Sequence, residues 1–209
     1  MLHGFLMNRF VMHSLESALK EAGFDAHSLD YHSIRGTLAE HLEETGRGID
    51  ALLERGASRV HLLGHSMGGV VVLSYLLRAR SDAARTASIG RTVLLGAPVT
   101  GCAAAEEFAK QAAGRMLMGN SAALWQEAMP LSIPEGVQVG AIAGTERFGL
   151  GQLFVNLDGP NDGVARVEET RLPGMADHLI LPVSHSGMLF SAEVARQCAA
   201  FLRDGRFAR

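Results

Sequence analysis

Five consecutive residues, Gly64-His65-Ser66-Met67-Gly68, set a serine between two glycines in the pattern G-x-S-x-G. The residues entering the motif, RVHLLG, have the apolar character of a buried strand. Those leaving it, Val70, Val71, Val72, Leu73, Leu76 and Leu77, are apolar almost all round, as a helix buried on most sides must be. A strand that turns directly into a helix brings two backbones so close that side chains at 64 and 68 would clash. Glycine at both positions therefore fits a sharp turn that holds Ser66 above the sheet edge with its hydroxyl exposed. The plainer role for such a serine is a helix cap; the strand-turn-helix context favours a nucleophile.

A lone serine hydroxyl is a poor nucleophile at neutral pH. It needs a base to take its proton and a carboxylate to orient that base. Of nine histidines, only His178 and His185 come after the last apolar strands begin. His178 starts the strand HLILPV and so lies at its amino end, the wrong side of a parallel sheet. His185, in VSHSGML, falls just past the carboxyl end of that strand, where a catalytic loop belongs. The carboxylates between the strand VQVGAIAGT and that loop are Glu146, Asp158, Asp162, Glu168, Glu169 and Asp177. Asp162 is the first choice: in GPNDGVA, Pro160 and Gly163 fix a turn and Val164 pins the following residues to the core. Asp158 is the fallback.

Acyl chemistry also needs two N–H groups aimed at the developing oxyanion. Met67, directly after the serine, would supply one. Phe5, in LHGF near the start, would supply the other, with Gly4 letting the chain turn without blocking the substrate.

The elements that must position these groups alternate along the chain. Met12, Leu15, Leu19 and Ala22 recur at helical spacing before a stop at Gly23, and FDAHSLDY has strand character. A second helix carries Leu38, Leu42, Ile49 and Leu52 and ends near Gly56, with Gly46 and Gly48 weakening its middle. RTVLLGAP, VQVGAIAGT and HLILPV supply further strands, with Pro182 marking HLILPV as a sheet edge. A closing helix from Ser191 turns Val194, Cys198, Phe201 and Leu202 inward. Strands alternating with helices predict an α/β fold, a mostly parallel sheet covered on both faces, in a single domain over 1–209. The Ala-, Gly- and Met-rich stretch between Pro98 and Pro134 is too long for a plain loop and predicts two short helices covering the sheet around 99–135.

In sequence and order, LHGF, GHSMGG, LLGAPVTG, NDGV and SHSGML resemble the α/β-hydrolase superfamily, and within it the compact lipase and esterase-like members, over nearly the whole chain. The resemblance implies a Ser66-Asp162-His185 triad with the amides of Phe5 and Met67 as the oxyanion hole, and neither metal nor organic cofactor. His65, Gly68 and Gly69 are common in that family; packing roles rather than chemistry are expected for them here, and a role in shaping the first loop for His3. Two departures stand out. Only Met1 and Leu2 precede His3, so a nearly absent leading strand is expected, either because the natural sequence starts earlier or because the sheet is trimmed, and no large cap domain is expected. A shallow acyl site partly lined by Met116, Met118, Trp125 and Met129 is then expected, since flexible thioethers adapt to varied chains; the plainer role for such residues is core packing. The expected reaction is cleavage of carboxylic esters through an acyl-enzyme. The same triad could serve an acyltransferase or thioesterase, and an idle triad would leave a binding protein.

Composition limits the partners. Hydrophobic residues make up 47% and charged residues 20%, ordinary for a folded domain. A net charge of -3 gives no broad positive field, which argues against nucleic acid and for a small ester or lipid substrate. Apolar runs are too short to span a bilayer and the first residues lack signal-peptide character, so a soluble, cytoplasmic protein is expected. Cys102 and Cys198 form no metal or redox pattern and are expected to be free thiols.

Overall fold

The computed structural model describes residues 1–127, 132–148 and 157–209. Four parallel strands, β1 (Val60–His65), β2 (Ile89–Leu95), β3 (Val139–Gly144) and β4 (Asp177–Leu181), lie in the order β1-β2-β3-β4. Helices cover both faces, giving the α/β-hydrolase fold that the sequence predicts. Alternate strand residues go to opposite faces. Leu62, Leu94, Val139 and Ala141 enter one core with residues of α2 (Leu38–Glu54) and α3 (Met67–Ala79). Leu63, Val93, Leu95 and Ile142 enter another with α1 (His13–Glu21) and α8 (Ala192–Asp204). At Gly140 in β3 the ring of Phe201 in α8 lies so close that a Cβ would meet it at 2.5 Å, which draws α8 onto the sheet.

Local chemistry sets the helix ends. Gly23, at φ +92°, stops the chain after α1. Thr37 opens α2 with a reciprocal cap: its hydroxyl accepts from the Glu40 N–H, and the Glu40 carboxylate accepts from the Thr37 N–H at 2.7 Å. Ser191 caps α8 by accepting from the Val194 N–H, and Gly205, in the left-handed region, ends it. As Pro182 suggests, β4 is an edge strand.

Three readings change. FDAHSLDY shrinks to one bridge: Leu29 pairs with Leu2, which pairs in turn with Gly64, all parallel. Its neighbour in the sheet is Leu2, and the pairing stops at that bridge. The two helices predicted between Pro98 and Pro134 become three among the described residues, α5 (Ala103–Lys110), α6 (Ala112–Met118) and α7 (Ser121–Glu127). Breaks at Gln111, with extended backbone, and at Gly119, with φ +52°, divide them. A short helix, α4 (Ala83–Ser88), was also unforeseen; it starts at Asp82, whose carboxylate accepts from the Arg85 N–H at 2.9 Å.

Among the described residues no helix is long and apolar enough to cross a membrane. Both cysteines are free and buried, and burial pushes both thiols up.

Candidate active site

The turn between β1 and α3 is as tight as the glycine spacing requires. A Cβ on Gly64 would lie 2.5 Å from the backbone of Gly68 and Gly69, and one on Gly68 would lie 2.4 Å from the His3 carbonyl oxygen. Ser66 sits at the apex with φ +55° and ψ −126°, a backbone conformation that side chains rarely adopt. Its N–H donates to the Leu95 carbonyl at 2.8 Å, tying the turn to the end of β2. Ser66 as a whole residue is only 8% exposed. The reason is the first loop, which packs over it: a Cβ on Gly4 would stand 3.1 Å from the Ser66 Cβ.

His185 and Asp162 meet directly. Nδ1 of His185 lies 2.8 Å from Oδ2 of Asp162, and both side chains are buried. The carboxylate accepts here, so Nδ1 carries a proton, and in the neutral ring the lone pair that a base needs falls on Nε2. Oδ1 of Asp162 accepts from the N–H groups of Val164 (2.9 Å) and Ala165 (2.7 Å), and the Asp162 carbonyl accepts from the His185 N–H at 2.9 Å. Burial works to raise the Asp162 pKa. The charge and hydrogen bond of His185, with the two backbone donors, outweigh it and hold the carboxyl below its ordinary value. The fallback, Asp158, is exposed.

Ser66 is placed beside this pair by its neighbours on both sides. Gly96 follows Leu95, the acceptor of the Ser66 N–H, and a Cβ on it would lie 2.8 Å from Asp162 Oδ2 and 3.1 Å from His185 Nδ1. At φ +53°, Gly96 could not carry a side chain without strain or collision. On the other side, the ring of His65 lies 4.7 Å from the ring of His185. Among the described residues no hydrogen bond joins the Ser66 hydroxyl to His185; such contacts commonly tighten only when substrate is bound.

The Phe5 N–H and the Met67 N–H have no protein acceptor among the described residues. The first follows Gly4, which abuts Ser66, and the second follows Ser66 itself. Leu6, next to Phe5, has φ +58°, so among the described residues the two non-glycine residues of positive φ each adjoin one of these amides. His3 is fully buried, stacks on Tyr31 at 4.4 Å, and its carbonyl accepts from the Tyr31 hydroxyl at 2.6 Å.

The expected acyl-lining residues separate. Met116 is 86% exposed, Met118 is buried at 3%, and Trp125 packs against the α2–α3 core; Met129 lies outside the described residues. The rejected histidine, His178, is on β4 near its amino end, against a cavity of about 890 Å³ that contains none of Ser66, Asp162 and His185. Burial and Arg171 lower its pKa to about 4. Among the described residues no cluster of side chains could hold a metal ion.

Sequence reasoning gave His65 a packing role, yet its Nε2–H donates to the His185 carbonyl at 2.9 Å. No sequence signal marks that contact, because the acceptor is a backbone atom 120 residues away.

Residues 1–177 match the family described as the alpha/beta hydrolase family. No curated protein sequence matches the chain. Among solved structures, the mature lipase BlEst2 of Bacillus licheniformis superposes with a TM-score of 0.74 at 16% identity, covering 99% of this chain and 90% of that one. The phospholipase PlaB of Legionella pneumophila gives 0.67 at 16% identity over 94% of this chain and 54% of its own. A metagenomic carboxyl esterase gives 0.62 at 18% identity, over 88% and 63%. At such identities the likeness is one of fold.

Proposed function

The chain belongs to the alpha/beta hydrolase family, and from that premise we propose that it is a serine hydrolase cleaving carboxylic esters through an acyl-enzyme. The carrying observation is a serine on a strained strand-to-helix turn, tied through its N–H to Leu95, whose neighbour Gly96 packs against a buried imidazole-carboxylate pair 2.8 Å apart. Nε2 of His185 takes the Ser66 proton as Oγ attacks the ester carbonyl. The Phe5 and Met67 N–H groups donate hydrogen bonds to the carbonyl oxygen as it becomes negative. His185 then returns the proton to the leaving alcohol, and a water activated by the same nitrogen releases the acid. Asp162 keeps the imidazole in the tautomer that exposes Nε2 and stabilises its cationic form.

The lipase, phospholipase and carboxyl esterase among the similar folds support an ester or lipid substrate over other acyl donors. The test is a series of p-nitrophenyl esters from acetate to palmitate, with Ser66→Ala alongside. Turnover in the wild type with a loss of about 10⁴- to 10⁶-fold in the variant is expected. Equal turnover by both would refute the reading.

A further inference from the structure

His65 is completely buried beside the nucleophile, in a place where an apolar residue would fill space at lower cost. Its hydrogen bond explains the imidazole. The acceptor at 2.9 Å is the carbonyl of His185, so Nε2 must carry the hydrogen and the ring is neutral at Nδ1. Nδ1 itself is buried with no partner among the described residues; it faces Gly4, where a Cβ would stand 3.1 Å away.

His185 is thus held at three points. Its N–H donates to the Asp162 carbonyl, its Nδ1–H to the Asp162 carboxylate, and its carbonyl accepts from His65. The first two contacts fix the base to the acid, but neither fixes it to the nucleophile. The third does. His65 is covalently adjacent to Ser66, and its own N–H donates to the Leu2 carbonyl at 3.0 Å, which locks it to the sheet. The path from Ser66 to the base loop is one peptide link and one hydrogen bond.

We infer that His65 is a positioning residue, setting the distance and angle between Ser66 Oγ and His185 Nε2 by gripping the His185 main chain. The inference rests on the proposed role of Ser66 and His185. The neutrality of the ring supports it: burial foremost, with the neighbouring His185 charge, lowers the His65 pKa to about 3. The ring therefore adds no second positive charge beside the imidazolium formed during turnover.

The experiment compares His65→Phe, which keeps a ring without a donor, with His65→Gln, whose amide can reach the same carbonyl, and His65→Asn, whose shorter amide cannot. With p-nitrophenyl butyrate, kcat of His65→Phe should fall about tenfold to a hundredfold, the scale of a misplaced catalytic group, with KM little changed. His65→Gln should recover most of the rate and His65→Asn should not. The low-field proton resonance of the His185–Asp162 hydrogen bond should broaden or shift in His65→Phe and return in His65→Gln. Wild-type kcat in His65→Phe, or equal rates in the Gln and Asn variants, overturns the inference; that pair decides even if the Phe variant does not fold. Ser66→Ala, run in parallel, separates the two claims. Loss of turnover there with normal His65 variants defeats only the positioning role, whereas full turnover in Ser66→Ala defeats the hydrolase reading beneath it.

Discussion

Nδ1 of His185 stands 2.8 Å from Oδ2 of Asp162, while the other oxygen of the same carboxylate is taken by the N–H groups of Val164 and Ala165. One oxygen thus holds the ring and the other holds the loop. Replacing Asp162 by Asn keeps the shape but lets the amide present a donor to Nδ1, which favours the wrong tautomer. Asp162→Asn should lower kcat by about 10⁴-fold, the scale found for triads. Asp158→Asn, on the exposed side of the loop, should leave kcat within about twofold. Steady-state kinetics of the two variants decides the acid, and the reverse ranking would reassign it.

The strain at Ser66 predicts a trade of stability against function. A non-glycine residue at φ +55° and ψ −126° costs on the order of 1–3 kcal/mol. Glycine there relieves that cost but loses about 0.5–1 kcal/mol through a freer unfolded chain. Ser66→Gly should therefore be inactive yet more stable by about 1 kcal/mol, raising Tm by roughly 2–4 °C for a chain of this size. Scanning calorimetry checks it; a lower Tm would mean that the turn is not strained.

Gly68 sets helix propensity against packing. In the first turn of α3, alanine would gain up to about 1 kcal/mol in propensity. Its Cβ would, however, enter within 2.4 Å of the His3 carbonyl oxygen and 2.6 Å of the Leu2 carbonyl oxygen, both backbone atoms that cannot step aside. Overpacking of this kind costs about 1–3 kcal/mol, and more against fixed backbone. Gly68→Ala should lower Tm by roughly 2–8 °C. An unchanged or higher Tm would show that the first loop yields freely.

Acid should weaken the fold through buried histidines. His65 has a pKa lowered from 6.5 to about 3, by burial first and then by the His185 charge, against smaller opposing effects of its hydrogen bond to His185 and of Asp162. Between those values the unfolded chain binds a proton that the folded chain refuses, so stability rises with pH there. The His65 contribution is complete above about pH 6.5 and is lost progressively as the pH falls toward 3. His178, lowered to about 4, acts in the same direction over a narrower window, whereas Asp162, held below its ordinary value, matters only at lower pH. Urea unfolding should show a loss of stability from pH 7 to pH 5 that is shallower in His65→Gln. Equal slopes in the two proteins would contradict the assignment.

The features of this site that the sequence made legible are those whose cause is local. Gly64 and Gly68 are required within four residues of Ser66 by backbone contact, and Pro160 and Gly163 bracket the turn that presents Asp162. His185 follows from strand direction alone, since a parallel sheet sends every following loop to one edge. What stayed hidden depends on distant atoms. The burial of Ser66 comes from a loop 60 residues earlier, and the partner of His65 is a carbonyl with no side-chain identity. FDAHSLDY has a strand composition, but pairing needs a neighbour, and Leu2 offers one bridge. Met118 and Trp125 have the composition of a pocket and the burial of a core, and only packing separates the two.

The most direct test of the account is the site and rate of fluorophosphonate labelling. In the wild type, mass spectrometry should find one adduct, on Ser66, and His185→Ala should react slower by orders of magnitude because the hydroxyl keeps its proton. An adduct on another residue, or equal labelling rates in the two proteins, would contradict the assignment of Ser66 as a nucleophile activated by His185.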